Sequence, residues 1–124
     1  MTSRILAIED DRGIRAMLER GLRMAGHDVV LADTLEVARA AWTSDDAYDL
    51  VLLDVMLPDG DGLALLRERR AAGDATATVL LTAREEAELG GRAADAGADA
   101  YLPKPFAYRD LLACIERFAG SRRA

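Results

Sequence analysis

Residues 48–62 read YDLVLLDVMLPDGDG, and this stretch decides the fold. Its apolar run, Leu50 to Leu53, ends abruptly in the carboxylate of Asp54, and a turn rich in proline, glycine and aspartate follows. A short, continuous apolar run is typical of a strand that is buried on both faces of a parallel sheet. Because ligands and chemistry collect at the carboxyl ends of the strands in open α/β sheets, the pattern predicts that Asp54 faces a functional crevice.

Similar apolar runs recur along the chain and alternate with segments of helical periodicity. The predicted strands are residues 5–8, 29–32, 49–53, 77–81 and 100–102, and the predicted helices follow them at about 12–25, 35–43, 63–72, 84–96 and 108–120. Connections this short force right-handed crossovers between parallel strands. The sequence therefore predicts an α/β fold, a five-stranded parallel sheet of order 2-1-3-4-5 doubly wound with five helices. We expect one domain over residues 1–120 and a short tail at 121–124.

Local signals define several helix ends. Asp11 is a good N-cap for the first helix, and Gly26 is the expected stop after it. Asp33 and Glu36 have the spacing of a capping box before the second helix. In the fourth helix the pair Gly90-Gly91 costs roughly 1 kcal/mol per glycine relative to alanine, so this helix is predicted to be the most mobile.

Composition excludes several classes of function. The net charge of −6 argues against a broad nucleic-acid footprint, so no direct nucleic-acid partner is expected. The single cysteine excludes an internal disulfide framework and a cysteine zinc site, and the single histidine, His27, lies in a turn where a solvated side chain is expected. No apolar stretch approaches the ~20 residues that a bilayer requires, and the first residues lack the pattern of a signal peptide, so we expect a cytoplasmic protein without a membrane partner.

Polar side chains follow three further predicted strands. The first strand ends in Glu9-Asp10, the fourth ends in Thr82, and Lys104 follows the fifth. The predicted strand order places the acid pair beside Asp54, where each pair of carboxylates at ~5 Å repels by about 3 kcal/mol at an effective dielectric near 20. An oxygen-only ligand set favours a hard divalent ion, Mg²⁺ or Mn²⁺. A metal, a nucleophilic carboxylate, a hydroxyl and a lysine together suit phosphoryl transfer.

Four sequence blocks carry a resemblance to a known family. They are ILAIED at residues 5–10, DLVLLDVMLPDGDG at 49–62, LLTAR at 80–84 and GADAYLPKPF at 97–106. In this order and spacing the chain resembles the receiver (CheY-like) domain of two-component response regulators over nearly its whole length, with a pattern most similar to the OmpR/PhoB-type transcription factors.

The resemblance implies a phosphoacceptor and a metal site. Asp54 would accept a phosphoryl group from a sensor histidine kinase or a phosphotransfer protein, with only slow self-catalysed dephosphorylation. Asp10 would bind Mg²⁺ directly and Glu9 through water, together with Asp54 and the backbone carbonyl of Met56. The output would be a changed protein-binding surface, read by a downstream protein or by an effector domain that these residues do not include.

The resemblance also implies how the switch works. Lys104 would pair with the phosphoryl oxygens, and the bond from Lys104 to Pro105 would be cis. Thr82 would hydrogen-bond to one phosphoryl oxygen and leave room for Tyr101 to turn inward. Receivers of this type dimerise through the fourth helix, fifth strand and fifth helix; here Ala100 stands where an acid is usual, so only a weak dimer is expected, with Arg92, Asp95 and Asp99 available for pairing.

Two other functions fit part of the pattern. A Mg²⁺-dependent aspartyl-phosphate phosphohydrolase would also place an aspartate nucleophile after an apolar strand, but it usually needs a second acid where this chain has Met56. A flavodoxin-like cofactor binder would need a phosphate-binding loop after the first strand, where Glu9 to Asp11 would repel a phosphate. The sequence therefore favours a signalling switch, which is not a conventional enzyme.

Overall fold

A computed structural model describes residues 3–43, 47–82 and 86–120, with the backbone alone at 86–90 and 119–120. Five parallel strands form the main sheet in the order β2-β1-β3-β4-β5. The strands are β1 Arg4–Ile8, β2 Asp28–Ala32, β3 Leu50–Asp54, β4 Thr78–Thr82 and β5 Ala100–Pro103. A short antiparallel hairpin, Met56–Leu57 with Gly60–Asp61, follows β3. The predicted fold class and strand order are confirmed.

Five helices connect the strands. They are α1 Arg12–Met24, α2 Leu35–Trp42, α3 Gly62–Ala71, α4 Glu86–Ala96 and α5 Tyr108–Ile115, and the last continues into a π-helical turn, Glu116–Gly120. Arg84, the predicted start of the fourth helix, lies outside the described residues. No helix in the described part of the chain is long and apolar enough to cross a membrane.

The hydrophobic core lies in two layers, one on each face of the sheet. One layer includes Leu6, Leu53 and Leu66, and the other includes Ile5, Leu52 and Leu111, all with completely buried side chains. Adjacent residues of one strand therefore serve opposite layers, which explains why the strands read as continuous apolar runs. All five residues of β3 are buried, including Asp54 at its end. The carboxylate of Asp54 therefore lies buried at the carboxyl edge of the sheet.

Helix caps agree with the sequence at α1 but not at α2. Asp11 caps α1 by accepting a hydrogen bond from the Ile14 N–H at 2.9 Å, and Gly26, with φ 92°, follows its end as predicted. The capping box from Asp33 to Glu36 is wrong, because Thr34 is the N-cap of α2 and accepts from the Val37 N–H at 3.1 Å.

A distant loop also contributes to the start of α2. The Asp59 carboxylate accepts hydrogen bonds from the N–H groups of Leu35 at 2.7 Å and Glu36 at 3.1 Å. The hydrogen bond from Leu35 is the largest cause that lowers the pKa of Asp59, and the bond from Glu36 adds to it. Asp59 therefore joins the turn after β3 to the start of α2, and no short-range sequence signal predicts such a contact.

His27 is half-buried rather than solvated. Its Nδ1 accepts a hydrogen bond from the Ser3 N–H at 3.3 Å, and burial lowers the pKa of the imidazole. His27 lies between α1 and β2, at the amino-terminal edge of the sheet, whereas Asp54 ends β3 at the opposite edge. It therefore contributes to folding and not to the carboxylate site.

Candidate functional site

Three carboxylates meet at the carboxyl edge of the sheet. Glu9 and Asp10 directly follow β1, and Asp54 ends the neighbouring β3, where Ile8 pairs in register with Leu53. One carboxylate oxygen from each of the three acids lies within 4.8 Å of the others. Glu9 and Asp54 are buried, whereas Asp10 is exposed. The sequence-predicted acid cluster is thus assembled, with one member open to solvent.

Lys104 neutralises part of this cluster. Its Nζ lies 2.6 Å from Glu9 Oε1 and 3.4 Å from Asp54 Oδ2. Burial by itself would lower the pKa of Lys104, but the hydrogen bond and charge of Glu9 and the charge of Asp54 outweigh it and raise this pKa above its usual value. The ammonium therefore remains charged and bridges the two buried carboxylates.

Asp54 holds its proton far more tightly than an ordinary aspartate. Burial is the largest cause, the charge of Glu9 is the second, and together they raise the pKa of Asp54 to about 7 although Lys104 acts in the opposite direction. Asp54 Oδ1 accepts a hydrogen bond from the Met56 N–H at 3.2 Å, which holds the side chain in place. Lys104 therefore offsets only part of the unfavourable effect of burial and of Glu9 on the ionised form of Asp54.

The hydroxyl and the lysine reach the same edge. Asp54 pairs in register with Leu81, so Thr82, whose side chain is buried, lies one residue beyond it on the adjacent strand. The Lys104 N–H donates to the Thr82 carbonyl at 2.7 Å, which ties the loop after β5 to the end of β4. The bond from Lys104 to Pro105 is cis, as the family resemblance implied.

Tyr101 lies within β5, three residues before Lys104. It pairs with Leu80 in the ladder between β4 and β5 and packs, half-buried, against the core layer that contains Leu80 and Ala96.

The Met56 side chain points outward and is 61% exposed, so only its backbone faces the site.

Gly62 has a role beyond the turn that the proline, glycine and aspartate residues after Asp54 predict. A Cβ built at Gly62 would lie 2.3 Å from the Asp54 carbonyl oxygen and 3.2 Å from Leu53 Cδ1. The first residue of α3 therefore approaches the backbone of Asp54 so closely that only glycine fits. The DG pair at 61–62 was visible in the sequence, but the approach depends on the packing of α3.

Two further contacts were absent from the sequence interpretation. Arg15 Nη1 donates to the carbonyl oxygens of Glu9 at 3.2 Å and Asp10 at 3.1 Å. Asp61, which caps α3 by accepting from the Leu63 N–H at 2.8 Å, also pairs with Arg92 of α4. The sequence offers one signal for the Arg15 contact. Arg15 lies in the first turn of α1, five residues after Asp10.

The donor set fits a hard divalent cation. All three candidate ligand side chains are carboxylates, and they converge from two adjacent strand ends without a histidine or cysteine among them. Mg²⁺ and Mn²⁺ favour such oxygen ligands and retain waters where the site is open, as it is at Asp10. The cluster can therefore hold one divalent ion beside a nucleophilic carboxylate.

Comparison with known proteins places this site in a family. The family model described as the response regulator receiver domain matches residues 5–116. The chain belongs to this family. The receiver domain is 45% identical over 112 residues to the response regulator MprA of Mycobacterium leprae, covering 90% of this chain and 49% of the relative. It is also 45% identical over 113 residues to MprA of Mycolicibacterium vanbaalenii, covering 91% and 48%. The chain spans about half the length of these curated relatives.

Solved structures agree with the assignment. A two-component response regulator from Clostridium difficile has a TM-score of 0.91 and 28% identity, with 98% of this chain and 99% of that chain covered. DrrB of Thermotoga maritima, described as an OmpR/PhoB homolog, has a TM-score of 0.84 and 32% identity, with 98% and 54% covered. The receiver domain thus shares its fold with a solved chain of about its own length and with part of a longer response regulator.

Proposed function

We propose that this receiver domain is a phosphorelay switch in which Asp54 accepts a phosphoryl group from a histidine of a sensor kinase or phosphotransfer protein, in a Mg²⁺-dependent reaction. The observation that carries the proposal is the meeting of three carboxylates within 4.8 Å, with Lys104 Nζ in contact with Glu9 and Asp54. Such a cluster supplies a nucleophile, a cation site and a fixed positive charge together.

The three carboxylates differ in whether they bind the metal directly or through water. Asp10 is exposed and Asp54 carries the reacting oxygen, so both are direct ligands. Glu9 is already bound through Oε1 to Lys104 and through Oε2 to the Asp11 N–H at 3.0 Å, so it acts through water. The backbone carbonyl of Met56 completes the protein ligands. When bound, Mg²⁺ neutralises the carboxylates and the phosphoryl oxygens, and Mn²⁺ suits the same ligands.

The reaction is a single displacement at phosphorus. A carboxylate oxygen of Asp54 attacks the phosphorus of the donor phosphohistidine, the P–N bond breaks, and its electron pair leaves with the imidazole nitrogen. Asp54 must be ionised to attack, so its proton passes to solvent first. Lys104 and Thr82 then donate to the phosphoryl oxygens. Slow hydrolysis by water attack at phosphorus releases phosphate and restores the carboxylate.

Output follows from the charge that is added. Phosphorylation adds about −1.5 to −2 charge beside Thr82, which is drawn towards it. Tyr101, half-buried on the next strand, is then free to turn inward, and α4, which contains Gly90 and Gly91, repacks. The changed surface acts on a downstream protein or on an effector domain, as the length of the relatives suggests.

A weak dimer through α4, β5 and α5 is part of the same proposal. Two of the charges expected to serve it are paired within the chain, Arg92 with Asp61 and Asp99 with Arg70. A dimer that used these side chains would have to exchange internal partners for external ones. This supports weak association.

Phosphorylation with acetyl phosphate tests the proposal. Intact-mass measurement should show one added phosphoryl group on the wild type with Mg²⁺, and none with a chelator. Asp54→Asn should gain none, whereas Asp28→Asn, which changes an exposed carboxylate at the start of β2, should behave as the wild type. Continuous release of many equivalents of phosphate would instead identify an aspartyl-phosphate phosphohydrolase. Phosphorylation of Asp54→Asn at the wild-type rate would refute the site.

A further inference from the structure

The short segment between β1 and α1 carries two of the three acids. β1 ends at Ile8 and α1 begins at Arg12, so Glu9 and Asp10 lie on backbone that belongs to neither element. The Glu9 side chain is fixed by Lys104 and by the Asp11 N–H. Asp10 is different, because its side chain is exposed and its direction depends on the backbone that carries it.

Arg15 holds that backbone on both sides of Asp10. Its Nη1 donates to the Glu9 carbonyl at 3.2 Å and to the Asp10 carbonyl at 3.1 Å. Those carbonyls belong to the two planar peptide groups that flank the Asp10 Cα. Fixing both planes fixes the two backbone dihedrals of Asp10, and with them the direction of its Cβ and carboxylate.

We infer that Arg15 is a positioning residue for the metal site, one that preorganises Asp10 as a ligand without touching the cation. The inference rests on the proposed function, because it requires that the three carboxylates bind Mg²⁺. A guanidinium suits the task, since it is always charged and presents its donors in a rigid planar fork. Outer contacts of this kind orient ligands and raise metal affinity.

The charge of Arg15 and its hydrogen bonds have opposite effects on the affinity of the site for Mg²⁺. Arg15 carries a positive charge near the acid cluster, so its field alone opposes the binding of a divalent cation. Removing the charge would then tighten Mg²⁺ binding, whereas removing the hydrogen bonds would weaken it. The direction of the change therefore distinguishes positioning from charge.

Arg12 provides a matched control. It lies on the same helix, is exposed, and is closer in sequence to the acids. Arg12→Gln removes the same charge as Arg15→Gln. Arg15→Lys keeps the charge but replaces the rigid fork with a single flexible ammonium.

The experiment is a calorimetric titration of each variant with Mg²⁺ at low ionic strength. Arg15→Gln should bind Mg²⁺ about tenfold more weakly than the wild type, Arg15→Lys should fall between them, and Arg12→Gln should bind as well as the wild type or better. Phosphorylation of Arg15→Gln by acetyl phosphate should recover towards the wild-type rate at saturating Mg²⁺. Denaturation curves recorded without metal identify any variant that has lost its fold. If Arg15→Gln does not fold, the Mg²⁺ affinity of Arg15→Lys relative to the wild type tests the inference.

Two results would overturn the inference in different ways. Mg²⁺ binding by Arg15→Gln that equals or exceeds that of the wild type would refute the positioning role and leave the proposed function intact. A wild-type protein that binds no Mg²⁺ would refute the metal site and the inference together.

Discussion

Replacing Asp54 with asparagine should stabilise the metal-free domain at neutral and alkaline pH. The wild-type carboxylate is buried beside Glu9, and these two causes raise its pKa to about 7 from the usual 3.8. A folded state that holds a proton more tightly than the unfolded state loses stability as the pH rises between those values. Below about pH 4 both states are protonated, and above about pH 7 both are ionised, so the penalty grows across that window and then stays constant.

The magnitude follows from the shift. The difference between about 7 and 3.8 corresponds to roughly 4 kcal/mol of destabilisation at high pH, at about 1.4 kcal/mol per pKa unit. Asparagine removes this penalty but leaves an amide that needs partners in the same pocket. We therefore expect Asp54→Asn to raise the free energy of unfolding by about 2–4 kcal/mol at pH 8, and to have little effect near pH 4.

Urea denaturation in the presence of a chelator measures this difference across the pH range. Asp28→Asn is the control, because it neutralises an exposed carboxylate away from the cluster. Saturating Mg²⁺ should stabilise the wild type more than Asp54→Asn, since a ligand stabilises a fold only to the extent that it binds. A variant that is no more stable than the wild type at pH 8, or a gain that is the same at both ends of the pH range, would refute the electrostatic account of the site.

Two glycine substitutions form a pair with opposite expected signs. Gly62→Ala should lower the free energy of unfolding by about 1–3 kcal/mol and slow phosphorylation, because the added Cβ would meet the Asp54 carbonyl oxygen at 2.3 Å and push α3 from β3; thermal denaturation with a phosphorylation time course measures both. Gly91→Ala should instead raise stability by about 0.5–1 kcal/mol, because its Cβ meets no atom of the described residues within 4 Å and alanine favours the helix. It should alter partner affinity more than phosphorylation, and equal effects on both measurements would contradict a switching role for α4. Destabilisation by Gly91→Ala, or a neutral Gly62→Ala, would show that the packing of these helices differs from the structure.

The sequence by itself determined the sheet and the side chains that meet at the candidate site. Buried apolar runs separated by helical periods leave one economical strand order, and that order brings the carboxyl ends of β1, β3, β4 and β5 together. Glu9, Asp54, Thr82 and Lys104 could therefore be named from their positions at strand ends. A strand end is a local signal, and parallel pairing converts it into spatial proximity.

Only the tertiary structure decided how those members are held. Asp59, 24 residues away in the chain, accepts a hydrogen bond from the first residue of α2, and Thr34 rather than Asp33 is the N-cap of that helix. Arg15 fixes the backbone around Asp10, and Gly62 is required by the approach of α3 to the Asp54 carbonyl. The pKa of Asp54 depends on burial and on Glu9 at once. Each of these properties depends on distances between segments that are remote in the chain, and residue order alone does not specify such distances.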